Sequence, residues 1–365
     1  MVADPGAVAS ATPWRFRAPE QLAPYEDGWR ELAAATPGGS YFTTPDWVLA
    51  VWETSAVADA EAAVWIDGDG RVEAVLALAR MRARLHPRVP IPVTHWGLLG
   101  YGDDAADHGV VLTVPHRRAD VGAWARGRCR RGTVWMPAVD PDADPVPFPR
   151  GVRPVARTVC PRLAVAPDRA VGSAGFRRLM ARRGRQLTGE GVNFRWVGPG
   201  EVTRADLETV LRLHRVRRDH LGTATGFTPR RLELHARLLD RADSTRGPAV
   251  MFAEADGVAV GAVYGFRWQD TFAYYNGGWD PAYARLSLGT VLLDRTIATT
   301  VAAGVRTFDF LRGSEAYKFA SFGAEQRWDT QWLRPKGPVA RTAGVALRLG
   351  KALGARSSGG PAGRR

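Results

Sequence analysis

The sequence predicts an α/β (α+β) protein of two domains, each with a mixed, mostly antiparallel sheet flanked by helices. The chain has 365 residues, and at roughly 150 residues per domain this length indicates about two domains. Short runs of alternating apolar residues, typical of strands, are interspersed with segments that have the apolar period of helices. Apolar residues make up 45% of the chain and charged residues 24%, which excludes disordered, collagen-like and coiled-coil proteins.

In the first half of the chain, cap and turn signals predict mixed secondary structure. Thr44 and Pro45 predict the start of a helix that runs to Thr54, because threonine caps free amides and proline fits a first helical turn. Alternating residues on both sides of an Asp-Gly turn predict a hairpin over 62–82. We also expect helices at 25–35 and 118–127 and strands at 94–99, 109–113 and 134–139. Residues 1–165 are therefore predicted to form an N-terminal domain.

The pattern restarts after Pro167 and predicts a second domain over residues 166–335. Thr203 and Asp206 have the spacing of a capping box and predict a helix start. The expected helices span 174–190, 203–220, 228–241 and 288–303, and the expected strands span 194–197, 250–255, 258–268, 271–277, 307–311 and 327–333. Residues 336–365 are predicted to be a basic, largely disordered tail, in which 339–353 has an amphipathic pattern.

The net charge of +13 is concentrated in two segments of the chain. Residues 151–190 contain nine arginines against Asp168 and Glu190, and residues 335–365 contain seven basic residues and no acid. One interpretation is that these are solvated helix faces. The other is that segments 176–185 and 336–365 bind a polyanion, either tRNA or an anionic membrane surface.

Location and metal content are predicted from what the sequence lacks. No apolar run approaches the roughly 18 residues that span a bilayer, so we expect no transmembrane segment. The N-terminus has no secretion signal pattern. Two cysteines make no disulfide framework, and the histidines have no metal-ligand spacing. These features predict a cytoplasmic protein without a metal site.

A strand–loop–helix segment near residue 280 has the pattern of an anion site. The strand ends at Gly277 and Gly278, and Gly289 lies at the start of the next helix. A helix N-terminus presents free amides and a positive dipole, which suit a pyrophosphate. We therefore expect the amides of Ser287–Thr290 to bind the phosphates of a ligand. The alternative is that Gly289 is only a packing or capping residue.

Several motifs in this half of the chain resemble a known family. They are YYNGGWDP at 274–281, SLG at 287–289 and FDFLRGSEAYK at 308–318, with the arginine-rich segment 176–185 and the histidine-arginine segment 214–222. Together with the order of elements they resemble the GNAT superfamily acyltransferases, in particular the cellulose-biosynthesis-type acetyltransferase-like family, which is related to the Fem-type aminoacyl transferases. The resemblance covers most of 170–333. It implies two tandem GNAT-like domains, the N-terminal one degenerate.

The resemblance implies an N-acyltransferase that transfers an acyl group from acyl-CoA to an amine or hydroxyl of a small-molecule or saccharide acceptor. The implied donor-binding residues are Tyr275, Asn276, Arg285, Ser287, Leu288, Gly289 and Thr290. Arg285 and Ser287 stand where the common GNAT loop has glycines, and Fem-type relatives with a similar loop use aminoacyl-tRNA. An aminoacyl-tRNA-dependent, amide-forming transferase is therefore one alternative. A non-catalytic GNAT-fold binding protein in envelope polysaccharide biosynthesis is another.

The block 309–318 contains the predicted catalytic residues. A base must accept a proton from the acceptor, and the candidates are Glu315, Asp309 and His214. Tyr317 is the candidate general acid for a departing thiolate. Only three of the 50 basic residues are lysines, so Lys318 is expected to have a specific task. That task is either a contact to a substrate carboxylate or phosphate, or an ion pair with Asp309 or Glu315 that holds the strand end.

Overall fold

The computed structural model describes residues 12–55, 57, 59–101, 106–140, 150–222 and 228–357. It divides the chain into two compact units. The first is formed by Met1–Thr158 together with Trp328–Arg365, and the second by Val159–Arg327. The predicted boundaries at 165 and 335 therefore need correction, because the last strand belongs to the first unit.

Helices and strands alternate along the chain as the sequence patterns indicate. The helices are α1 (Glu26–Ala35), α2 (Pro45–Thr54), α3 (Arg118–Arg128), α4 (Ala174–Gly189), α5 (Arg204–His220), α6 (Pro229–Asp240), α7 (Leu288–Ala302), α8 (Ala316–Ala320) and α9 (Pro338–Ser357). The strands are β1 (Trp14–Phe16), β2 (Ala60–Ile66), β3 (Val72–Ala83), β4 (Val93–Leu98), β5 (Leu112–Thr113), β6 (Thr133–Val139), β7 (Arg153–Val159), β8 (Arg162–Ala164), β9 (Val192–Val197), β10 (Gly247–Ala255), β11 (Val258–Trp268), β12 (Thr271–Trp279), β13 (Thr307–Asp309) and β14 (Trp328–Arg334). Within the part of the chain that the structure describes, no helix is long and apolar enough to cross a membrane.

The first unit is built on an eight-stranded mixed sheet. Its strands follow the order β1-β2-β3-β4-β6-β14-β7, and β5 pairs with β3. Strand β4 runs parallel to β6, while β14 runs antiparallel to β6 with Leu333 opposite Trp135. Leu333 is buried in a cluster with Trp135, and this apolar contact explains why the last strand leaves the second unit.

Helix α9 follows β14 and replaces most of the tail that the sequence predicted as disordered. Ala340 and Ala343 are buried against the cluster that contains Leu333, and Leu347 packs beside them. Small side chains one turn apart let the helix lie close to its neighbours, so burial stabilises a segment whose composition resembles that of a linker. The helix expected from the amphipathic pattern of 339–353 is therefore present, and the broader prediction of a largely disordered tail does not hold for Pro338–Ser357. The remaining residues, 358–365, lie outside the described part of the chain.

The second unit is built on a six-stranded sheet in the order β8-β13-β12-β11-β10-β9. Among the strand pairs that the structure describes in this sheet, β12–β13 alone is parallel. Helices α4 and α7 cover one face, where Phe272, Phe308 and Leu288 share one apolar cluster. Helix α5 packs against β12 and β11, and α6 packs against β10. The predicted class, two mixed and mostly antiparallel sheets flanked by helices, is confirmed.

Local capping explains why α5 begins where the sequence predicts it. The Thr203 hydroxyl accepts a hydrogen bond from the Asp206 amide at 3.2 Å, and the Asp206 carboxylate accepts one from the Thr203 amide at 2.9 Å. This reciprocal arrangement satisfies two amides that a helix start leaves free. It fixes the direction in which α5 runs across β12, and so the position of the side chains in its later turns.

His235 is a buried titratable group in the second unit. It lies on α6, its Nδ1 atom is 2.9 Å from the Tyr264 hydroxyl, and its ring is stacked with Phe266. Burial, together with the charge of Arg231, lowers the pKa of His235 to about 3. A histidine in an unfolded chain has a pKa of about 6.5. Unfolding therefore takes up a proton between these two pH values.

We expect the free energy of unfolding to fall as the pH is lowered below about 6.5, because the unfolded state binds the proton that the folded state excludes. At pH 5 the loss from His235 should be about 2 kcal/mol. Urea unfolding at pH 7 and pH 5 measures this loss in the free energy of unfolding. His235→Gln should lose less stability between the two values than the wild type, and His116→Gln, which removes an exposed histidine, should behave like the wild type. Equal losses in wild type and His235→Gln would contradict this account.

Candidate active site

The two parallel strands of the second unit, β12 and β13, separate after a short paired stretch. Strand β12 pairs with β13 only from Thr271 to Ala273, opposite Thr307 to Asp309. Strand β12 then continues to Trp279. A β-bulge at Tyr275 accompanies the separation, since Tyr264 is opposite Asn276 while its neighbour Gly265 is opposite Tyr274. One edge of β12 from Tyr274 to Trp279 therefore has no paired strand among the described residues.

Asp309 ends β13 and turns the chain away from β12. Its Oδ1 atom accepts a hydrogen bond from the Leu311 amide at 2.8 Å, and its Oδ2 atom accepts one from Arg162 at 2.7 Å. Leu311 has a left-handed backbone with φ of 52°, a conformation that costs energy for this residue type and needs such support. The carboxylate is buried. These contacts give Asp309 a structural task, and its predicted catalytic role stays a prediction.

Lys318 is buried beneath the turn that follows β13. Its Nζ atom lies 2.9 Å from Oε2 of Glu315, and it also donates to the carbonyl oxygens of Phe310 at 3.3 Å and Gly313 at 3.4 Å. The Lys318 side chain is 3% exposed and that of Glu315 is 56% exposed. Of the two interpretations of Lys318, this geometry agrees with the ion pair that holds the strand end, and with Glu315 rather than Asp309 as the partner.

Glu315 remains a carboxylate at neutral pH. Its partial burial acts to raise its pKa, but the hydrogen bond and charge of Lys318 and the charge of Arg217 outweigh burial and lower the pKa of Glu315. A carboxylate with a lowered pKa is a weak general base. It can still attract an ammonium group electrostatically, because more than half of its side chain faces solvent.

Two phenols lie close to Glu315 at the open edge of β12. Burial raises the pKa of Tyr274 despite the opposing charge of Arg217. Burial also raises the pKa of Tyr317, and the nearby groups Tyr274 and Glu315 act in the same direction. Both phenols therefore stay protonated at neutral pH and can donate hydrogen bonds. The predicted residue Tyr317 and the unpredicted residue Tyr274 are thus brought together.

Helix α5 places two further side chains at this edge. Gly278 allows the close approach, since a Cβ atom there would lie only 2.4 Å from the backbone of Leu213. Arg217 donates from Nη1 to the Gly277 carbonyl at 3.4 Å, and it also forms a hydrogen bond with Tyr274. Segment 214–222 of this helix is one of the motifs of the family resemblance, but Arg217 is not among the site residues predicted from the sequence. The signal was present in that motif, but its contact with β12 is not visible in the sequence.

His214 lies one turn before Arg217 and faces Asn276 and Gly277. Burial and the charge of Arg218 lower the pKa of His214, while hydrogen bonds with Gly277 and Asn276 act in the opposite direction. The imidazole is therefore neutral at pH 7. A neutral imidazole can accept a proton, so His214 remains a candidate base, but its ring is buried.

Trp279 fills the space beside Gly289. A Cβ atom on Gly289 would lie 2.7 Å from the Trp279 ring, so glycine is required here for packing against an indole. The guanidinium of Arg217 lies 3.7 Å from the centroid of the same ring, a cation–π contact. The packing interpretation of Gly289 therefore has direct support, and contact of Gly289 with a donor stays a prediction.

The other residues at the start of α7 that are predicted to bind the acyl donor differ in whether their backbone amides are already hydrogen-bonded. The Ser287 amide donates to Ala284, and the Thr290 amide donates to Ser287. Ser287 caps the helix in a left-handed conformation with φ of 58°. The amides of Leu288 and Gly289 form no hydrogen bond with the residues that the structure describes, so these two amides remain available to a phosphate.

Arg285 and Tyr275 have partners of their own. The Arg285 guanidinium forms an ion pair with Glu190 at 2.6 Å. The Tyr275 ring packs on His235, Tyr264 and Phe266, with ring centroids 5.1 to 6.2 Å apart. Tyr275 therefore belongs to the aromatic cluster next to α6. A role in holding the donor remains a prediction for both residues.

Comparison with known families agrees with this geometry. Residues 174–319 match the sequence model of the acetyltransferase (GNAT) domain family. The matched segment runs from α4 into α8 and includes the separated strands, the start of α7 and the Glu315–Lys318 pair. Over this segment the chain is therefore similar to the acetyltransferase (GNAT) domain family that its motifs resemble. No curated protein matches the sequence.

Solved structures share the fold over most of the chain. FemX is 10% identical and aligns with a TM-score of 0.58, covering 88% of this chain and 96% of FemX. The L-PGS protein from Bacillus licheniformis is 10% identical with a TM-score of 0.55, covering 88% and 96%. A C-terminal domain from Agrobacterium fabrum, described as part of a lysylphosphatidylglycerol synthetase, is 11% identical with a TM-score of 0.55, covering 91% and 96%. These similarities confirm the predicted tandem GNAT-like fold.

The buried position of Lys318 leads to a stability prediction. Lys318→Arg should lower the melting temperature, because a larger guanidinium would replace a buried ammonium that already contacts Glu315 and the Gly313 carbonyl. Overpacking of this kind costs roughly 1–3 kcal/mol. Glu315→Gln should also lower it, since the buried ammonium loses its acid partner. Thermal unfolding measures both, with Lys336→Arg, at an exposed lysine, as the control.

A different result would change the assignment of Lys318. If Lys318→Arg melts like the wild type, the ammonium is not packed as described, and a direct contact with substrate becomes the better explanation. A loss of activity seen only together with a lowered melting temperature agrees with the structural task.

Proposed function

We propose that this chain is an acyltransferase that transfers an acyl group from a thioester of coenzyme A to an amine or hydroxyl of a small-molecule or saccharide acceptor. The observation that carries the proposal is the open edge of β12 from Tyr274 to Trp279, bordered by two protonated phenols. The GNAT-type domain over 174–319 supports it. The donor and the acceptor are the parts that the proposal adds.

The open edge suits a carbonyl that gains negative charge during transfer. In the proposed reaction the acceptor nitrogen or oxygen attacks the thioester carbon, a bond to the acceptor forms, and the carbon–sulfur bond breaks. Backbone amides on the unpaired edge and the phenols of Tyr274 and Tyr317 can donate hydrogen bonds to the developing oxyanion. Donors fixed before the reaction stabilise such charge strongly, because they need no reorganisation.

The raised pKa of Tyr317 refines its proposed role. A thiol has a pKa of about 8.5, so proton transfer from a phenol with a raised pKa to a thiolate is unfavourable. Tyr317 then acts as a hydrogen-bond donor to the oxyanion or the leaving sulfur rather than as a full proton donor. The acceptor's proton can pass to His214, whose imidazole is neutral, or to water.

Tyr317→Phe tests the proposed role of the phenol. Turnover with the best acyl-CoA should fall by about 10-fold to 100-fold, since one preorganised donor is removed, while the melting temperature changes little. Release of free coenzyme A thiol from a panel of acyl-CoAs and amines measures turnover. Tyr25→Phe, in the first unit, is the control. Unchanged turnover in Tyr317→Phe would remove Tyr317 from the mechanism.

An aminoacyl-tRNA donor is a second candidate, and one observation favours it. Arg178, Arg182 and Arg185 are exposed on α4, spaced so that they share one side of the helix. None of the three forms a salt bridge with a carboxylate that the structure describes. Unpaired arginines on one helix side suit a row of phosphates, which supports this candidate without deciding between the donors.

The two donors differ in their dependence on salt. If the three arginines of α4 contact phosphates, tRNA binding should weaken by about 40-fold or more between 50 and 200 mM salt. The triple variant Arg178→Gln, Arg182→Gln, Arg185→Gln should lose most of this binding in a filter-binding assay. The matched control is Arg126→Gln, Arg130→Gln, Arg131→Gln, at exposed positions of the first unit.

The donor screen also tests the whole proposal. Binding of acyl-CoA and release of thiol support the first candidate. Binding of tRNA that the α4 variant abolishes supports the second. A chain that binds neither donor would contradict both and would support a GNAT-fold binding protein.

A further inference from the structure

Arg217 is a half-buried cation without an acid partner among the residues that the structure describes. Its guanidinium rests on the Trp279 ring and donates to the Gly277 carbonyl at 3.4 Å, and it forms a hydrogen bond with Tyr274. It makes no salt bridge with any carboxylate in the described part of the chain. A guanidinium carries five N–H donors in a planar fork, more than these contacts use. Such a group is well suited to bind a carboxylate or phosphate from a ligand.

Glu315 supplies an opposite charge close enough to Arg217 for the two charges to interact. Its side chain is more than half exposed, and Lys318 takes only Oε2. The charges of Arg217 and Glu315 influence each other, yet the two groups do not form a salt bridge with one another. Trp279 and Gly277 hold Arg217 in place, and Lys318 holds Glu315. A positive and a negative group kept apart in this way complement a ligand that carries both charges.

We infer that the acceptor is a zwitterion, an amine that also bears an acid group, with its acid group bound by Arg217 and its ammonium directed to Glu315. The acid group is a carboxylate or a phosphate. This inference rests on the proposed acyl transfer at β12 and names the substrate class for it. The donor phosphates are assigned to the start of α7, so Arg217 is left for the acceptor.

Arg217 in this role is a specificity-determining residue. An acceptor without the acid group would lose a charge-assisted hydrogen-bond pair, and it would leave the desolvated guanidinium unpaired. The amine alone would still be attracted by Glu315. Discrimination between acid-bearing and neutral amines should therefore depend on Arg217, whereas the chemical step at the thioester should depend on the phenols.

The test uses pairs of amines that differ only in the acid group. Phenylalanine is compared with phenylalaninamide, and glucosamine 6-phosphate with glucosamine, by isothermal titration calorimetry on the full chain without donor. The wild type should bind the acid-bearing member of at least one pair about tenfold or more tightly than the neutral member. The pair that shows the preference identifies the acid group as carboxylate or phosphate.

Variants at Arg217 connect the preference to that residue. Arg217→Gln should reduce the ratio of the affinities for the acid-bearing and the neutral amine to near one. Arg217→Lys keeps the positive charge and should retain part of this ratio, which distinguishes loss of the charge from poor folding of a variant. Arg215→Gln, with the same charge change at an exposed position of α5, should keep the wild-type ratio. A wild type that binds both members alike, or neither member of any pair, overturns the inference, as does an Arg217→Gln variant with an unchanged ratio.

Because the measurement needs no donor, its failure can be distinguished from failure of the proposed function. Preference for acid-bearing amines without any thiol release would support the acceptor site while contradicting coenzyme A as the donor. Efficient transfer to neutral amines, unaffected by Arg217→Gln, would support the transferase and overturn the zwitterionic acceptor.

Discussion

The carboxylate of Asp309 determines where β13 ends, and the site depends on that ending. By accepting hydrogen bonds from Leu311 and Arg162 it stabilises a left-handed residue directly after the strand. If β13 continued in an extended conformation, it would pair with β12 beyond Ala273 and close the edge on which the proposed chemistry relies. One buried side chain thus ends a parallel strand pair and leaves the edge of β12 open. Its contribution to function is geometric, since both of its oxygens are already bonded within the fold.

The buried ammonium of Lys318 and the half-exposed carboxylate of Glu315 form an ion pair near this open edge. A charge in a low-dielectric interior is stable only when it is paired and hydrogen-bonded. Lys318 meets this condition with Glu315 and two backbone carbonyls. The same pairing keeps Glu315 ionised, and the charge of Glu315 adds to burial, the main cause of the raised pKa of the neighbouring Tyr317 phenol. The ionisation states at the site are therefore linked, and they favour hydrogen-bond donation over proton abstraction by the carboxylate.

Features determined by neighbouring residues could be predicted from the sequence, and features determined by distant contacts could not. The capping box of Thr203 and Asp206 is local, so the start of α5 was predicted correctly. Lys318 had several acids within reach in the sequence, and only the turn geometry selects Glu315. The position of Arg217 depends on how closely α5 approaches Gly278, some sixty residues further along the chain. The domain boundary was misplaced because Leu333 pairs with a strand almost two hundred residues earlier.

The order of strands in the first sheet has a consequence for synthesis on the ribosome. Strand β14 lies between β6 and β7, so this sheet lacks an internal strand until the chain has been made beyond residue 334. Every strand of the second sheet, by contrast, has been made by residue 309. The domain that begins at the N-terminus is thus the last to be completed, against the usual vectorial order. During elongation the unpaired edges of β6 and β7 would be open to wrong partners, which makes this interval the one in which a chaperone would help most.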